Sequence, residues 1–370
     1  MRVLHISAGN IFGGVETHLL TLARFRHLCP EMEVHFGVCV AGLLSERIAG
    51  TGAPVHMLGP ARVSRPWTIW QSRRRLREVV RREGIDAVIC HMSWAQAVFG
   101  PAARSAGCRS VIFLQNRVSG DHWVDGWARR TVPDLILAVS KDTAETSKNL
   151  YPGLPAQVVY SPMPEFEAHS RAEVRHTVRK ELATPANAMV IIQVSRMEEW
   201  KGHPFHLEAL ARLAGRPEWT CWIAGGPQNP SENLYFDSLH ALAGRLGIED
   251  RVKFLGQRKD VPQLMAAADV FCQPNTGTEG FSWVFMEAFA AALPIVTSAI
   301  GGAVEIVDMS SGILLPPRDV DKLAAALKRF LDDPDLCRTM GAAGRSRVQQ
   351  LCDRATQIRK LHESLSVLVP

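Results

Sequence analysis

The stretch that decides the fold runs from Pro274 to Asp308 and reads PNTGTEGFSWVFMEAFAAALPIVTSAIGGAVEIVD. Apolar residues recur at helical spacing from Phe281 to Ala292, and the Leu-Pro pair that follows ends the helix. The next three residues, Ile295 to Thr297, have the β-branched composition of a short buried strand. A loop, a helix, a strand and a Gly-rich turn in this order predict one repeat of an α/β fold.

Two glutamates flank the start of this helix, Glu279 in the preceding loop and Glu287 after seven intervening residues. A helix N-terminus presents unpaired N–H groups and a partial positive charge, so it can hold a phosphate. Glu279 could then accept hydrogen bonds from a sugar, and Glu287 from a ribose diol. Alternatively, neither glutamate binds a ligand. Glu279 would then be present because a carboxylate is stabilised near the positive end of a helix, and Glu287 would pair with a buried hydrogen-bond donor. Two spaced glutamates alone favour that alternative.

As a whole, the phrase resembles the signature of glycosyltransferase family 4, which are retaining nucleotide-sugar transferases. The matching pattern is Glu-Gly-Phe, a second Glu after seven residues, an Ala-rich helix and Pro-Ile-Val-Thr, and Gly301 to Val307 continues it. The sequence departs from the family at Ser282 and Ala292, where Gly is usual or frequent. The resemblance implies an α/β protein of the GT-B fold, with two Rossmann-like domains facing a cleft. It also implies that Glu279 is catalytic and that Glu287, Gly280, Phe281 and Ser282 bind the donor.

Two cations follow the predicted strand that begins the second half of the chain. Arg196 and Lys201, with four residues between them, lie in the phrase VSRMEEWKG. Cations at the end of a parallel strand can neutralise a leaving diphosphate, although Arg and Lys are also common on surfaces. The phrase matches the diphosphate-binding pair of the family, so the resemblance gives both residues a catalytic role. By position, Gly256 and Arg258 are predicted to face the nucleobase.

The N-terminal strand Arg2 to Ser7 leads into a Gly-rich turn, GNIFGGVE, which opens an amphipathic helix. The G-x-G-x-x-G spacing of a dinucleotide site is absent. In the resemblance, Gly13 and Gly14 belong to a turn that faces the sugar and diphosphate, whereas a tight turn without a ligand is equally compatible with the local sequence. His18, on the following helix, is interpreted as a surface residue.

A polar loop, QNRVSGDHW, follows the predicted strand SVIFL. Loops at the carboxyl ends of parallel strands line ligand crevices, so Gln115, Asn116 and His122 are candidates for sugar or acceptor contact. Many family members have a histidine near the position of Gln115, and because an amide stands there in this sequence, the resemblance does not carry the role of that histidine over to Gln115. His122 could substitute for it, or lie on the surface. His91 matches a family histidine that is usually structural.

Length and composition bound the class of protein. With 370 residues, two domains are expected: 1–165 for the acceptor and 166–351 for the donor, with a final helix at about 352–370 packing back on the first. The eight scattered cysteines predict core thiols in a reducing compartment, not a disulfide framework. Since MRVLHIS lacks a signal-peptide layout, a cytoplasmic location is expected. The net charge of +5 is too small to indicate nucleic acid binding.

The stretch PWTIWQSRRRLREVVRREG has two interpretations. Its tryptophans and arginines could dock at an anionic membrane face, which would put the protein at the inner surface of the membrane. The favoured interpretation is a solvated basic helix that packs Leu76, Val79 and Val80 inward, since interfacial helices usually show a fuller apolar face.

The resemblance implies a hexosyl-transferring enzyme that moves a sugar from a nucleotide-diphosphate sugar to a hydroxyl of a glycan, a lipid-linked or a small-molecule acceptor. UDP is favoured and GDP is compatible. Neither a metal nor another cofactor is expected, because the helix N-terminus and the cations neutralise the phosphates. Two alternatives stay open: a nucleotide-sugar 2-epimerase of the same fold, and a catalytically idle GT-B binding module. The sequence carries no signal for the oligomeric state.

Overall fold

A computed structural model describes residues 1–9, 13–163, 165 and 171–369, with the side chain of residue 171 excepted. The chain divides into two compact units. The first comprises Met1–Pro164 together with Cys352–Pro370, and the second comprises Glu165–Leu351.

The first unit is built on a parallel sheet of seven strands. The strands are Arg2–Ser7 (β1), Glu33–Val38 (β2), Val55–Met57 (β3), Ala87–His91 (β4), Arg109–Leu114 (β5), Leu135–Ala138 (β6) and Ala156–Val158 (β7). The helices between them are Gly14–Phe25 (α1), Leu43–Ala49 (α2), Pro66–Glu83 (α3), Met92–Ser105 (α4), Trp123–Ala128 (α5) and Lys141–Thr146 (α6). The strand order is β3-β2-β1-β4-β5-β6-β7. Its central strands are buried along nearly their whole length, which explains their continuous apolar sequences.

The second unit repeats this design with a parallel sheet of six strands. They are Met189–Val194 (β8), Trp219–Ala224 (β9), Val252–Gly256 (β10), Val270–Gln273 (β11), Ile295–Ser298 (β12) and Gly312–Leu315 (β13), in the order β10-β9-β8-β11-β12-β13. The helices are Arg171–Glu181 (α7), His203–Ala211 (α8), Pro230–Arg245 (α9), Val261–Ala267 (α10), Trp283–Ala290 (α11), Ala303–Ile306 (α12), Val320–Asp332 (α13) and Pro334–Leu351 (α14).

Each sheet has one point where the strand order reverses. In the first unit this point lies between β1 and β4, and in the second between β8 and β11. The loops that leave the carboxyl ends of such a strand pair diverge to opposite sides, which opens a crevice where α/β proteins bind ligands. The topology therefore predicts ligand binding at the loops after β1 and β4 in the first unit and after β8 and β11 in the second.

A last helix, Arg354–Ser366 (α15), returns the chain to the first unit. The Cys352 carbonyl accepts a hydrogen bond from the Met163 N–H at 2.8 Å. The Arg354 guanidinium lies 4.2 Å from the centre of the Phe25 ring and donates to the Met163 carbonyl at 2.7 Å. These contacts attach α15 to both α1 and the segment after β7.

Several predicted details can be compared with the structure. All eight cysteines are buried free thiols, as predicted. Leu76, Val79 and Val80 are buried, which confirms the inward face predicted for α3. The helix predicted from Phe281 to Ala292 is shorter at both ends. Within the described residues, no helix combines the length and the apolar character needed to cross a bilayer.

Candidate active site

Three neighbouring strands of the second sheet end in polar residues at the carboxyl edge. Gln193 in β8, Gln273 in β11 and Thr297 in β12 are fully buried in otherwise apolar strands. The Thr297 hydroxyl donates to the Gln273 carbonyl at 2.7 Å, and the Gln273 amide donates to the Asn275 side-chain oxygen at 3.0 Å. Because buried polar groups cost free energy unless they are hydrogen-bonded, these links fix how the loops leave the strands.

Lys201 and Glu279 meet at the point where the strand order reverses. Lys201 follows β8 and Glu279 follows β11, and the Lys201 Nζ lies 3.0 Å from Oε1 of Glu279. The lysine side chain is 8% exposed and its Nζ lies 3.9 Å from the centre of the Trp200 ring. The Asn275 amide lies 3.4 Å from the other oxygen, Oε2. The ammonium keeps further donors for an anion, since a lysine has three.

Glycine is required where the loops around this pair pack together. Gly202 has a φ of +74°, and a Cβ there would lie 1.9 Å from the Pro274 carbonyl oxygen. The Gly302 N–H donates to the Glu279 carbonyl at 2.9 Å, and a Cβ at Gly302 would lie 2.0 Å from the Gly280 carbonyl oxygen. The loop after β12 thus supports the backbone that carries Glu279.

The helix α11 begins four residues after Glu279, with Ser282 as its N-cap. The Ser282 side chain is buried, and its hydroxyl has no hydrogen-bond partner among the described residues. Phe281 is also buried, beside Gly280. Glu287, about one turn along α11, is only partly exposed, and no described residue hydrogen-bonds its carboxylate. Desolvation raises the pKa of Glu287 to about 7.

Arg196 pairs with a different carboxylate from the one that Lys201 contacts. It comes two residues after β8, its side chain is half exposed, and it forms an ion pair with Glu198. Glu198 has its other oxygen buried without a described partner. The structure therefore brings Lys201 and Glu279 into contact and leaves Arg196 on a local carboxylate. The role of Glu198 was not anticipated from the sequence, although it lies inside the phrase VSRMEEWKG.

Two buried histidines behind Lys201 were also missed. His206 lies 2.8 Å from the Gln193 side-chain oxygen, and the Gln193 amide donates to the Lys201 carbonyl at 3.0 Å. His203 lies 2.9 Å from the Ser195 hydroxyl. Burial lowers the pKa of each imidazole to about 3, so both are neutral. The lone amide in the apolar strand MVIIQV was the available signal, since a buried Gln needs partners.

The predicted nucleobase loop contains Gly256 and Arg258. The Gly256 carbonyl accepts from the Gly225 N–H at 2.8 Å. The Arg258 guanidinium binds Asp260 through two hydrogen bonds of 2.8 and 2.6 Å and reaches Glu181 at 2.9 Å. These carboxylates raise the pKa of Arg258. Its side chain is therefore engaged within the unit.

The turn after β1 is organised by Glu16. One carboxylate oxygen accepts from the Gly13 N–H at 3.1 Å and the other from the Ser7 hydroxyl at 3.0 Å. Gly13 and Gly14 are thereby placed at the start of α1. Residues 10–12 of the predicted turn lie outside the described residues.

The interpretation of His18 as a surface residue is wrong. Its imidazole is 1% exposed and lies 3.1 Å from the Ser161 hydroxyl. It belongs to a buried group with His5 and His91, whose rings are joined by a 3.0 Å contact between His5 Nδ1 and His91 Nε2. Burial lowers the pKa of His5 and His18 to about 3, and it also lowers the pKa of His91 well below its ordinary value. The helix α1 presents His18 inward because apolar residues surround it on that face.

The predicted acceptor loop divides into buried and exposed residues. Gln115 is buried, and its amide lies 3.3 Å from Nδ1 of His91, below the exposed part of the loop. Asn116 is exposed. His122 is exposed and caps α5, accepting from the Val124 N–H at 3.3 Å. Asn116 and His122 are therefore accessible to a ligand, whereas Gln115 is buried and supports the loop from within.

Two family models match this chain. The model described as "Glycosyltransferase Family 4" matches residues 12–163, and the model described as "Glycosyl transferases group 1" matches residues 174–347. The two matches follow the division into two units and together cover most of the chain.

Curated relatives are glycosyltransferases. The chain is 29% identical over 294 residues to a GDP-mannose-dependent monoacylated alpha-(1-6)-phosphatidylinositol monomannoside mannosyltransferase of Corynebacterium glutamicum, covering 74% of each protein. It is 30% identical over 224 residues to a D-inositol 3-phosphate glycosyltransferase of Corynebacterium aurimucosum, covering 58% of this chain and 52% of that protein.

Among solved structures, the chain is similar to Anabaena HepE, crystallised in complex with UDP and glucose. The TM-score is 0.84, the sequence identity is 25%, and the alignment covers 99% of both chains. The similarity extends over both parallel sheets, and the architecture is that of the GT-B glycosyltransferases. The chain belongs to glycosyltransferase family 4, and it is a hexosyl-transferring enzyme with the GT-B fold.

Proposed function

We propose that this enzyme transfers a sugar from a nucleotide-diphosphate sugar to an acceptor hydroxyl, with retention of the anomeric configuration. The ion pair between Lys201 and Glu279 carries the proposal. It lies at the carboxyl ends of β8 and β11, where the strand order reverses, and four residues before a helix N-terminus. An ammonium, a carboxylate and the positive end of a helix dipole in one place suit a sugar attached to a diphosphate.

The leaving diphosphate is assigned to Lys201, Arg196 and the N–H groups after Gly280. Lys201 is nearly buried, so its charge acts with little screening by water. Arg196 would exchange Glu198 for a phosphate oxygen, which its half-exposed side chain allows. These groups supply the positive charge that a divalent ion supplies in other transferases, and no metal is included in the proposal.

Glu279 is assigned to the sugar and Glu287 to the ribose. In the proposed reaction, the bond between the anomeric carbon and the diphosphate oxygen breaks, and the acceptor oxygen bonds to that carbon from the same face. The acceptor proton passes to an oxygen of the leaving phosphate. Glu279 would orient the sugar through its hydroxyls while Lys201 stabilises the charge that develops on the leaving group.

The donor base is proposed to be uracil, with guanine as the second candidate. Anabaena HepE, which aligns over nearly the whole chain, binds UDP, whereas the corynebacterial mannosyltransferase is GDP-mannose-dependent. For the acceptor, the exposed Asn116 and His122 are proposed contacts. A lipid-linked or small-molecule hydroxyl fits the substrates for which the two relatives are named, a phosphatidylinositol monomannoside and D-inositol 3-phosphate.

Thermal unfolding with UDP, GDP, ADP and dTDP, each with and without EDTA, tests the donor site. A ligand at about 100 times its dissociation constant should stabilise the native protein by about 2.7 kcal/mol. We expect UDP to give the largest shift, unchanged by EDTA, and Lys201→Ala and Glu287→Ala to lose it. If no nucleotide shifts the unfolding midpoint at millimolar concentration, the assignment of the site fails.

Product analysis then separates the reactions. With the sugar of the stabilising nucleotide and a hydroxyl acceptor, transfer gives a glycoside and the free nucleotide diphosphate. Epimerisation would instead convert the donor without an acceptor. The configuration of the new glycosidic bond, measured by NMR, decides between retention and inversion.

A further inference from the structure

The helix α11 begins with a serine that does not cap it. Ser282 is the N-cap residue, its backbone is extended, and its side chain makes no hydrogen bond to the first turn. Ser140, the N-cap of α6, is also extended, but its hydroxyl accepts from the Thr143 N–H at 3.0 Å. Serine at an N-cap is favoured because it accepts in this way from the unpaired N–H groups of the first turn. The Ser282 hydroxyl is therefore turned away from the helix that it begins.

This hydroxyl also lacks a partner outside the helix. Ser282 is 2% exposed, and its Oγ forms no hydrogen bond within the part of the chain that the structure describes. A buried hydroxyl without a partner costs free energy, and the glycine that is usual here in the family would avoid that cost. The cost is offset if a ligand supplies the missing partner.

The backbone that carries Ser282 is supported from two sides. A Cβ at Gly301, whose φ is +58°, would lie 2.5 Å from the Glu279 carbonyl oxygen, so the loop after β12 lies against the residues before α11. On the sheet side, Phe285 in the first turn of α11 packs edge-on against Phe271 of β11, with ring centres 5.7 Å apart. The helix end is thus in place before a ligand binds. A rotation about χ1 of Ser282 moves Oγ between staggered positions and breaks no hydrogen bond.

The charge at this helix end favours an anion. The first turn, residues 283–285, contains no acidic side chain, so nothing within it neutralises the partial positive charge of the helix. The nearest carboxylate earlier in the sequence is that of Glu279, which is paired with Lys201 at 3.0 Å. A serine hydroxyl can donate a hydrogen bond, and the bond is stronger when the acceptor is charged. A phosphate oxygen therefore fits this position better than a neutral sugar hydroxyl.

We propose that the Ser282 hydroxyl donates a hydrogen bond to a non-bridging oxygen of the donor diphosphate. The inference rests on the proposed function, because the diphosphate is the anion assigned to this helix end. It adds a side-chain contact to that assignment, which uses Lys201, Arg196 and backbone N–H groups, and glycine at residue 282 could not make this contact. Ser282 is then a residue that selects a nucleoside diphosphate over a nucleoside.

The Ser282→Ala variant separates binding from stability, because the two should change in opposite directions. Titration calorimetry uses UDP or GDP, whichever binds the unaltered protein more tightly. The variant should bind it about tenfold more weakly, which corresponds to about 1.4 kcal/mol and is typical of one hydrogen bond to a charged group. Its thermal midpoint without nucleotide should rise by about 2 °C, since an unpaired hydroxyl is no longer buried. A purely structural role would change the midpoint and leave the affinity as it is.

The corresponding nucleoside, uridine or guanosine, tests whether the contact is to the phosphates. It carries the base and the ribose without a phosphate, so Ser282→Ala should bind it like the unaltered protein in saturation-transfer NMR. An equal loss of affinity for the nucleoside and for its diphosphate would place the hydroxyl at the nucleoside and overturn the proposal.

The matched control is Ser140→Ala, the same substitution at the N-cap of α6. Because Ser140 does cap its helix, the midpoint should fall and the affinity for the nucleotide should stay the same. An equal loss of affinity in the control would contradict the proposal. If Ser282→Ala binds the nucleotide diphosphate like the unaltered protein and Lys201→Ala does not, the inference is wrong and the proposed function stands. If neither UDP nor GDP binds the unaltered protein, both are wrong.

Discussion

Glu287 combines two properties that oppose each other. Burial raises the pKa of its carboxyl to about 7, which favours the neutral form in the protein without ligand. The ionised carboxylate accepts hydrogen bonds from both hydroxyls of a ribose more strongly than the neutral carboxyl does, because a charged acceptor makes the stronger bond and neither of its oxygens carries a proton. Binding of a nucleotide to this site therefore has to select the ionised fraction, and that fraction falls as the pH falls.

The affinity for a nucleotide sugar should consequently decrease below about pH 7, approaching about tenfold per pH unit. Glu287→Gln should bind more weakly than the unaltered protein at pH 8 and lose the dependence on pH. Titration calorimetry with an intact nucleotide sugar gives the measurement, since its diphosphate has no terminal group that titrates near pH 6. Equal pH dependence in both proteins would remove Glu287 from the site.

His206 and Gln193 act on Lys201 through its backbone. His206→Leu would leave the buried Gln193 side-chain oxygen without its 2.8 Å partner and disturb the amide that holds the Lys201 carbonyl. An unpaired buried polar group costs about 1–3 kcal/mol, so the stability of the second unit should fall by that amount. We also expect weaker nucleotide binding, measured by thermal shift.

A matched substitution distinguishes hydrogen bonding from volume. His206→Gln can donate to Gln193 from a similar position and should recover most of both losses. If the leucine variant binds nucleotide like the unaltered protein, His206 contributes to the core alone and has no part in positioning Lys201.

At the scale of single elements, α11 ends under strain. Ala292 adopts a φ of +54°, in the left-handed region, where the resembling family often has glycine. A residue with a Cβ in this conformation costs about 1–2 kcal/mol. Ala292→Gly should therefore stabilise the second unit by roughly 0.5–1 kcal/mol, part of the relief being offset by the flexibility of glycine in the unfolded chain.

Ala290→Gly provides the comparison within the same helix. It replaces an alanine in helical conformation and should destabilise by about 1 kcal/mol. Scanning calorimetry should thus show the midpoints of the two variants moving in opposite directions. A lowered midpoint for Ala292→Gly would mean that its methyl group contributes packing that outweighs the strain.

The elements were largely predictable and their ends were not. Continuous apolar runs such as Arg2 to Ser7 predicted buried parallel strands, because both faces of each sheet are covered. The helix at Phe281 to Ala292 was predicted too long, since Phe281 packs before the helix begins and Ala292 turns out of it. The periodicity of apolar residues indicates which residues are buried. A buried residue just outside a helix fits the same pattern, so the pattern does not locate the ends of the helix.

The site was predictable where spacing carried the information. Lys201 and Glu279 were each selected from a motif that follows a predicted strand, but their contact was not predicted, because it depends on the strand order. The Gln193–His206 contact joins a strand to the following helix through side chains, and nothing in the spacing specifies it. His18 was misjudged because one polar residue on an amphipathic helix looks the same whether it pairs in the core or faces solvent.

For the whole molecule, buried imidazoles govern the response to acid. Burial depresses the pKa values of His5, His18, His91, His203 and His206 in the folded chain. Each is then neutral when folded, and takes up a proton on unfolding at any pH below about 6.5. A depressed pKa contributes stability that is present above pH 6.5 and is lost as the pH falls, by up to about 1.4 kcal/mol per pH unit for each group.

The thermal midpoint should therefore fall as the pH is lowered from 6.5 to 5. Glu287 raises the thermal midpoint as the pH falls, because its pKa is raised in the folded chain. It is a single group, however, and the five buried imidazoles together have the larger effect. His18→Asn should lessen the fall in the first unit, and substitution of the exposed His27 by asparagine should leave it unchanged. A midpoint that stays constant down to pH 5 would show that the imidazoles bind as many protons in the folded chain as in the unfolded chain, and would contradict the prediction.

The return of α15 to the first unit has a consequence for synthesis. A ribosome releases the seven strands of the first sheet long before it releases α15, and the whole second unit emerges in between. The second unit can thus complete its contacts while the first still waits for the helix that covers Phe25 and the segment after β7. The half of the protein that is translated first is the half that matures last, and during that interval a chaperone or a misplaced apolar segment can compete for the surface reserved for α15.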